Sequence, residues 1–240
     1  MKMDSLDLTL PTPAENIALD EALLLAAGSG CGGELLRFWE WPAPAVVLGS
    51  GSRLAEDVDE AACTSDSVPI LRRSSGGGTV LLGRGCLLYT LVLSYERDPA
   101  LTDIRRSYCY ILGRIAAALA DGVAPIEQAG ISDLIYAGRK FSGTAQQRKR
   151  SFLLHHGTLL CDMDLSLISR YLREPPRQPD YRGGRSHSAF VGNLPLQGEE
   201  MKRRLRRLWN ADETRFTLPM AEVKQLEADK YDNPQWTRRR

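Results

Sequence analysis

The period of apolar and polar positions changes several times along this chain, and each change marks an element. In Ala14-Glu15-Asn16-Ile17-Ala18-Leu19-Asp20-Glu21-Ala22-Leu23-Leu24-Leu25-Ala26-Ala27, apolar residues recur at helical spacing, acids occupy the early turns and Gly28 stops the run, which predicts a helix. Residues 34–41 and Ala45–Leu48 read as strands, the second a compact apolar run between Pro44 and Gly49. Residues 56–63 predict a short helix whose acids face solvent. Two apolar runs, 80–82 and 86–93, flank Gly83-Arg84-Gly85 and predict a hairpin.

Over residues 103–120, Ile104, Tyr108, Ile111, Leu112, Ile115 and Leu119 form one stripe, so an amphipathic helix is expected there with Gly122 closing it. Residues 134–143 read as strand, tight turn at Ala137-Gly138, then strand, with Lys140 just inside the second strand. Leu153-Leu154 and Leu159-Leu160 flank His155-His156-Gly157 as a further strand pair. Residues 164–173 predict a helix, and 174–184, rich in Pro, Arg and Gly, an exposed loop free to order on binding. Beyond Asn193 the character changes to a basic amphipathic helix at 199–209 and another helix at 220–229. The expected architecture is therefore α/β (α+β), a mixed and largely antiparallel sheet flanked by helices, in a domain over 1–192 with a helical extension over 193–240.

Composition narrows the function classes. The chain has 240 residues, 43% hydrophobic and 25% charged, enough for a sizeable core. Its 31 basic and 30 acidic residues leave a net charge of +1, so no global field points to nucleic acid or an anionic membrane. No apolar run approaches the roughly 20 residues that cross a bilayer, and residues 1–10 lack a leader pattern, so a cytoplasmic protein is expected. Five scattered cysteines without a CxxC pair argue against a disulfide framework and a zinc site, and reduced, buried thiols are the default. No metal site is expected.

Candidate chemistry sits in three stretches. In Arg72-Arg73-Ser74-Ser75-Gly76-Gly77-Gly78-Thr79-Val80, bare backbone N–H groups and two arginines can cradle an anion or carbonyl, unless the segment is only a tight turn with solvated arginines. In Asp133-Leu134-Ile135-Tyr136-Ala137-Gly138-Arg139-Lys140-Phe141-Ser142-Gly143-Thr144-Ala145, a lysine fixed by a hairpin precedes small residues that admit a thin ligand; a solvated hairpin end is the alternative. In Leu153-Leu154-His155-His156-Gly157-Thr158-Leu159-Leu160, adjacent strand histidines point to opposite faces, so only one can enter a site and a satisfied core histidine competes with that role.

These three ordered motifs resemble the RRxSGGG, G-(R/K)-K-(I/V)-S-G-(S/T)-A and HHG(T/S)LL segments of the lipoate-protein ligase and octanoyltransferase family, related to biotin protein ligases, over most of residues 15–192. The resemblance implies a class II synthetase-like biotin/lipoate ligase catalytic domain. It also implies Lys140 as the essential lysine, between an acyl carbonyl and a phosphate, and Arg73, Ser75, Gly76, Gly77, Gly78, Asp133, Ser142, Gly143, Thr144, Ala145 and His156 as substrate- or adenylate-binding residues. The activity implied is transfer of a lipoyl or octanoyl group from an acyl-adenylate to a lysine of a lipoyl carrier domain. Carriers of this kind are 2-oxoacid dehydrogenase E2 and glycine cleavage H protein; lipoate or lipoyl-adenylate is the cofactor, with ATP and Mg2+ for activation.

Departures from the pattern keep other readings open. Ser52 stands where a glutamine is common, Leu82-Gly83 where many ligases have His-Asp, and Cys86 and Leu88 where they have asparagines. Lys230-Tyr231 with Gln235-Trp236 resembles the segment leading to the family's small accessory domain, and little sequence follows it. The donor is accordingly open between lipoate and ATP with a separate accessory-domain partner, preformed lipoyl-adenylate, and acyl carrier protein. An octanoyltransferase route through the enzyme needs a thiol, yet the two equivalent positions are Leu153 and Pro125, which favours direct attack by the carrier lysine. A catalytically silent module that binds an acyl group or lipoyl domain is the alternative from another class.

Overall fold

The computed structural model describes residues 3–122, 125–213 and 217–240. Strands are β1 (Met3–Asp7), β2 (Leu35–Glu40), β3 (Ala45–Leu48), β4 (Ile70–Arg72), β5 (Val80–Leu82), β6 (Cys86–Ser94), β7 (Ile126–Ala129), β8 (Asp133–Tyr136), β9 (Arg139–Arg148), β10 (Phe152–Leu160) and β11 (Ala211–Glu213). Helices are α1 (Pro13–Gly28), α2 (Leu54–Asp57), α3 (Glu60–Ser65), α4 (Ile104–Leu119), α5 (Ser166–Tyr171), α6 (His187–Phe190), α7 (Gly198–Trp209), α8 (Met220–Leu226) and α9 (Pro234–Thr237). No helix among the described residues is long and apolar enough to cross a membrane.

The large sheet has the order β11-β1-β2-β6-β10-β9-β8-β7; β1 runs parallel to β2 and β11, and the remaining neighbours pair antiparallel. A small sheet, β4-β3-β5, lies apart from it. This is the mixed, mostly antiparallel sheet with flanking helices that the pattern predicts. Alternation along β6 and β10 sends Leu87, Tyr89, Leu91 and Leu93 with Leu153 and Leu159 to one face, where α4 and α7 cover them. Leu88 and Val92 with Leu154 and Leu160 face the other side, under α1, α8 and the small sheet. Both cores draw on residues beyond Asn193: Leu194, Met201, Leu205 and Trp209 in the first, Val223, Leu226 and Tyr231 in the second.

Helix α1 starts at a capping box, with the Thr12 hydroxyl accepting from Glu15 N and the Glu15 carboxylate accepting from Thr12 N. It is apolar nearly all round because it is enclosed nearly all round, and its buried Asn16, Asp20 and Glu21 need partners there.

Several expectations need correcting. Residues 80–82 and 86–93 do not form a hairpin: β6 already has β2 and β10 on its two edges, so β5 has no edge to join and pairs with β3. The two runs flanking His155-His156-Gly157 are one continuous strand, β10, because β6 offers it nine paired positions without a break. The single helix over 56–63 is two, interrupted where Val58 bridges Leu172. Ile104 lies outside the buried stripe of α4, at 57% exposed, and that stripe runs instead from Ser107 to Leu119. The cysteines are free, but Cys31 and Cys109 are exposed. The loop over 174–184 is partly anchored: Arg182 is buried, pairs with Glu174 and donates to the Arg185 carbonyl. The hydropathy pattern does not announce β1 and β11, since β1 is a short polar-apolar alternation and β11 is three residues long.

Candidate active site

A bulge places Lys140. In the β8–β9 hairpin Asp133 pairs with Gly143 and Leu134 with Ser142, but Ile135 pairs with Lys140, so Phe141 is an extra residue. Residues paired across strands share a face, and i, i+2 neighbours do too. The slip therefore puts Lys140 on the same face as Asp133 and Gly143, although three positions separate it from Gly143. Phe141, meanwhile, enters the opposite core with Leu134. The Lys140 ammonium lies 2.8 Å from Asp133 Oδ1. A Cβ on Gly143 would sit 3.0 Å from the Lys140 Cε and Nζ, so the bare backbone leaves the ammonium its seat.

Register also separates the histidines. His156 pairs with Thr90 and Ala145, while His155 pairs with Leu91 and Gln146 and turns to the far core. His155 is fully buried, between the Tyr89 hydroxyl at 3.1 Å and the Gln146 amide at 3.2 Å. Burial, then the neighbouring His156, holds its pKa down to about 3, so it is a neutral core histidine. His156 faces the cavity. Its Nε2 is 2.6 Å from the Ser75 hydroxyl and its Nδ1 3.5 Å from Asp20 Oδ2. A carboxylate only accepts, which assigns the ring proton to Nδ1 and lets Ser75, itself accepting from Arg73 Nε at 3.0 Å, donate to Nε2. Asp20 is held in turn by Arg37 at 2.5 Å and by the Thr90 hydroxyl at 2.8 Å. Burial opposes its charge, but Arg37 and His156 more than offset that and its pKa is lowered.

The glycine-rich segment is shaped from behind by both arginines. Arg73 donates to the Val47, Gly76 and Gly78 carbonyls, and burial draws its pKa down to about 10. Arg72 donates to the Gly49, Ser52 and Thr237 carbonyls. Their hydrogen bonds thus fix the loop. Gly77 has φ +83°, and a Cβ on Gly49 would lie 1.9 Å from its carbonyl oxygen, so the loop can settle against β3 only with glycine at both places. The chain's last turns brace the same loop. The Tyr231 hydroxyl donates to Glu21 at 2.5 Å and lies 3.2 Å from Ser74, Lys230 bonds both Glu21 oxygens at 3.0 Å, and Trp236 Nε1 donates to the Arg72 carbonyl at 2.8 Å.

These elements enclose a cavity of about 120 Å³. Of the residues singled out from sequence, Arg73, Gly77, Gly78, Asp133, Lys140, Gly143, Thr144, Ala145 and His156 line it together. Ser75 and Gly76 are not in its lining: Ser75 is buried against His156 and Gly76 is exposed with its carbonyl accepting from Arg73, while Ser142 opposes Leu134 on the other side of the sheet. The Lys140–Asp133 ion pair and the His156 ring are part of the cavity's polar lining. Its apolar wall is Ile17, Trp39, Val47, Val80, Leu82 and Leu88. Two of the departures from the family pattern, Leu82 and Leu88, are therefore cavity wall, and Cys86 is buried in the core beside them. None of the five cysteines lines the cavity.

Sequence reasoning missed Asp20, Thr90, Ser132 and Tyr181. Asp20 had a signal, a carboxylate in a helix with too few polar positions to have a wet face; the others become visible only through pairing and docking. An apolar groove with a few converging polar groups suits a small ligand with an apolar body and a polar end.

The family model for the lipoyl protein ligase A/B catalytic domain matches residues 12–205. The chain belongs to this enzyme family. It is similar to octanoyltransferase LipM of Carboxydothermus hydrogenoformans, at 33% identity over 177 residues that cover 67% of this chain and 65% of that protein. It is also similar to the protein named "Probable lipoate-protein ligase A" of Mycoplasma pneumoniae, at 30% identity over 67% of this chain and 46% of that one. The chain thus spans slightly less than two thirds of the first relative and less than half of the second. Its fold is that of a Thermoplasma acidophilum protein described as a bi-partite lipoate protein ligase, with a TM-score of 0.83, 22% identity, and 99% and 96% of the two chains covered.

Proposed function

We propose that this chain transfers a lipoyl or octanoyl group to a lysine side chain of a lipoyl carrier domain. The observation that carries the reading is the Lys140 ammonium, seated on bare Gly143 and held by one Asp133 oxygen in the lining of a cavity with an apolar wall. The acyl chain lies along the Trp39, Leu82 and Leu88 wall. Its carbonyl reaches the ammonium, which stabilises negative charge as the carbonyl carbon becomes tetrahedral. The carrier's neutral amine attacks that carbon, a C–N bond forms, and the bond to the leaving phosphate or thiolate breaks. The amine's proton departs to solvent or to the leaving group.

Direct attack is supported by a cavity wall without a cysteine, since a covalent relay would need a thiolate within reach of the carbonyl. Both relatives are consistent with the acyl groups named, one being an octanoyltransferase and the other named as a lipoate-protein ligase. Among donors, an acyl-adenylate is the reading preferred here because it needs no enzyme thiol. An octanoyl thioester is the second reading, favoured by the name of the octanoyltransferase relative.

The test is mass spectrometry of a lipoyl domain incubated with the protein and, separately, lipoate with ATP and Mg2+, lipoyl-adenylate, and octanoyl carrier protein. An added acyl mass on one lysine with any donor is expected, fastest with the adenylate. No mass shift with all three would refute the assignment. Lys140→Ala should lower the productive rate about 10³-fold with unchanged far-UV circular dichroism, the scale for losing a preorganised charge at a developing oxyanion. A folded Lys140→Ala protein at full rate would remove Lys140 from its role.

A further inference from the structure

Asp133 has two oxygens and two strong donors. One oxygen takes the Lys140 ammonium at 2.8 Å, and the other accepts from the Tyr181 hydroxyl at 2.6 Å. Tyr181 comes from the single turn at Asp180–Arg182, far along the chain in the segment the sequence marks only as a loop. That segment is docked on the lysine hairpin at several other points. Arg185 donates to the Gly138 carbonyl at 2.9 Å, the Gly192 amide donates to the Lys140 carbonyl at 2.9 Å, and Val191 bridges Lys140. The Tyr181 ring packs on Phe190 with centroids 5.3 Å apart, so the phenol is aimed from a fixed platform. Burial, and then the Asp133 charge, push its pKa upward, which keeps it a donor throughout the neutral range.

We infer that Tyr181 is a positioning residue for transfer: by occupying one Asp133 oxygen it confines Lys140 to the other, leaving the remaining ammonium N–H groups free for the acyl carbonyl. An ammonium has three donors. A carboxylate with both oxygens open can shift to grip an ammonium more closely, and each contact it gains is one fewer for substrate. With Tyr181 in place the pair is a single, directed contact, and Asp133 cannot rotate without breaking a 2.6 Å hydrogen bond. The segment over 179–192 is thereby part of the site, although among its residues Tyr181 reaches the lysine only through Asp133. This inference rests on Lys140 acting in transfer as proposed above.

Tyr181→Phe keeps the ring and its packing on Phe190 and removes only the hydroxyl. In the full chain it should lower kcat for carrier acylation about 10-fold with KM for the carrier within 2-fold, the scale of one charge-assisted hydrogen bond. The ammonium resonance of Lys140, assigned by its loss in Lys140→Arg, should shift in a ¹H–¹⁵N spectrum of ¹⁵N-lysine-labelled Tyr181→Phe protein. In an Asp133→Asn background, adding Tyr181→Phe should leave that resonance where Asp133→Asn alone puts it, because the phenol then has no carboxylate to act through. A Tyr181→Phe protein with unaltered kcat and an unshifted Lys140 resonance overturns the inference, and so does an equal shift in both backgrounds, which would mark a merely structural loop contact. The spectrum reads the coupling whether or not Lys140 proves catalytic. If Lys140→Ala keeps full transfer, the proposed function fails by that result alone, and a Lys140 resonance that still shifts would show the Tyr181–Asp133–Lys140 coupling to be real.

Discussion

Adjacent residues on one strand, His155 and His156, show how the two faces of the large sheet treat the same side chain. His155 faces α4, where it packs against the Tyr108 ring and contacts the Tyr89 hydroxyl and the Gln146 amide, and burial keeps it uncharged. His156 faces α1 and the glycine-rich loop, where Asp20 and Ser75 fix its ring and the cavity reaches it. The same imidazole is packing on one side and site on the other. What differs is not the residue but the partners that the register brings to it.

The largest effect that would sharpen this contrast is in stability. His155 ionises near 6.5 when unfolded and only at about 3 when folded. A depressed folded value means its contribution is fully present above pH 6.5 and is lost as pH falls towards 3, by about 1.4 kcal/mol per pH unit inside that window. His155→Gln should be the less stable protein at pH 7.5, and the gap to wild type should narrow or reverse by pH 4.5. Urea unfolding at the two pH values checks this. A gap that does not change with pH would mean His155 is not held neutral.

The next effect is in rate. His156→Ala should reduce carrier acylation about 10²-fold, in the range of one positioned polar group at a reacting centre, while the protein stays folded. The reverse pattern, an unfolded protein or an active one, would mean that the two faces are not divided as described.

Much of this division was legible in the chain. The alternation in 153–160 requires that only one histidine enter a site, and nine of the candidate site residues named from the three motifs line the cavity. Which histidine, however, depends on pairing with β6 and β9, and the β6 pairing joins segments some sixty residues apart. The seat of Lys140 was legible as a hairpin but not as a bulge: one extra residue at Phe141 decides the face, and no local pattern announces it. The role of the two arginines is not legible in sequence, because a guanidinium that binds a ligand and one that binds its own loop's carbonyls look alike there. The false hairpin at Gly83-Arg84-Gly85 has a similar origin, since two apolar runs about a glycine turn do not reveal whether the edge strand's place is taken.

The smallest expected effect concerns how the cavity face is braced. Glu21 is a buried carboxylate on α1; burial opposes its charge, but donors from Tyr231, Lys230 and Gln147 outweigh that and its pKa is lowered. Tyr231 also reaches Ser74, so the last turns of the described chain and the first helix hold the glycine-rich loop between them. Tyr231→Phe removes one hydrogen bond to a buried charge that retains its lysine and amide partners, so a loss of about 1–2 kcal/mol is expected. Because the ring stays and only the loop's brace slackens, the same variant should raise KM for the acyl donor a few-fold and change kcat little. Amide hydrogen exchange provides the local check: the amides of Gly76 to Gly78 should exchange faster in the variant, while those of β6 on the far core, such as Leu91, should not. Equal acceleration at both would mean that the phenol supports the whole fold, and the distinction between a braced site face and a closed core would be lost.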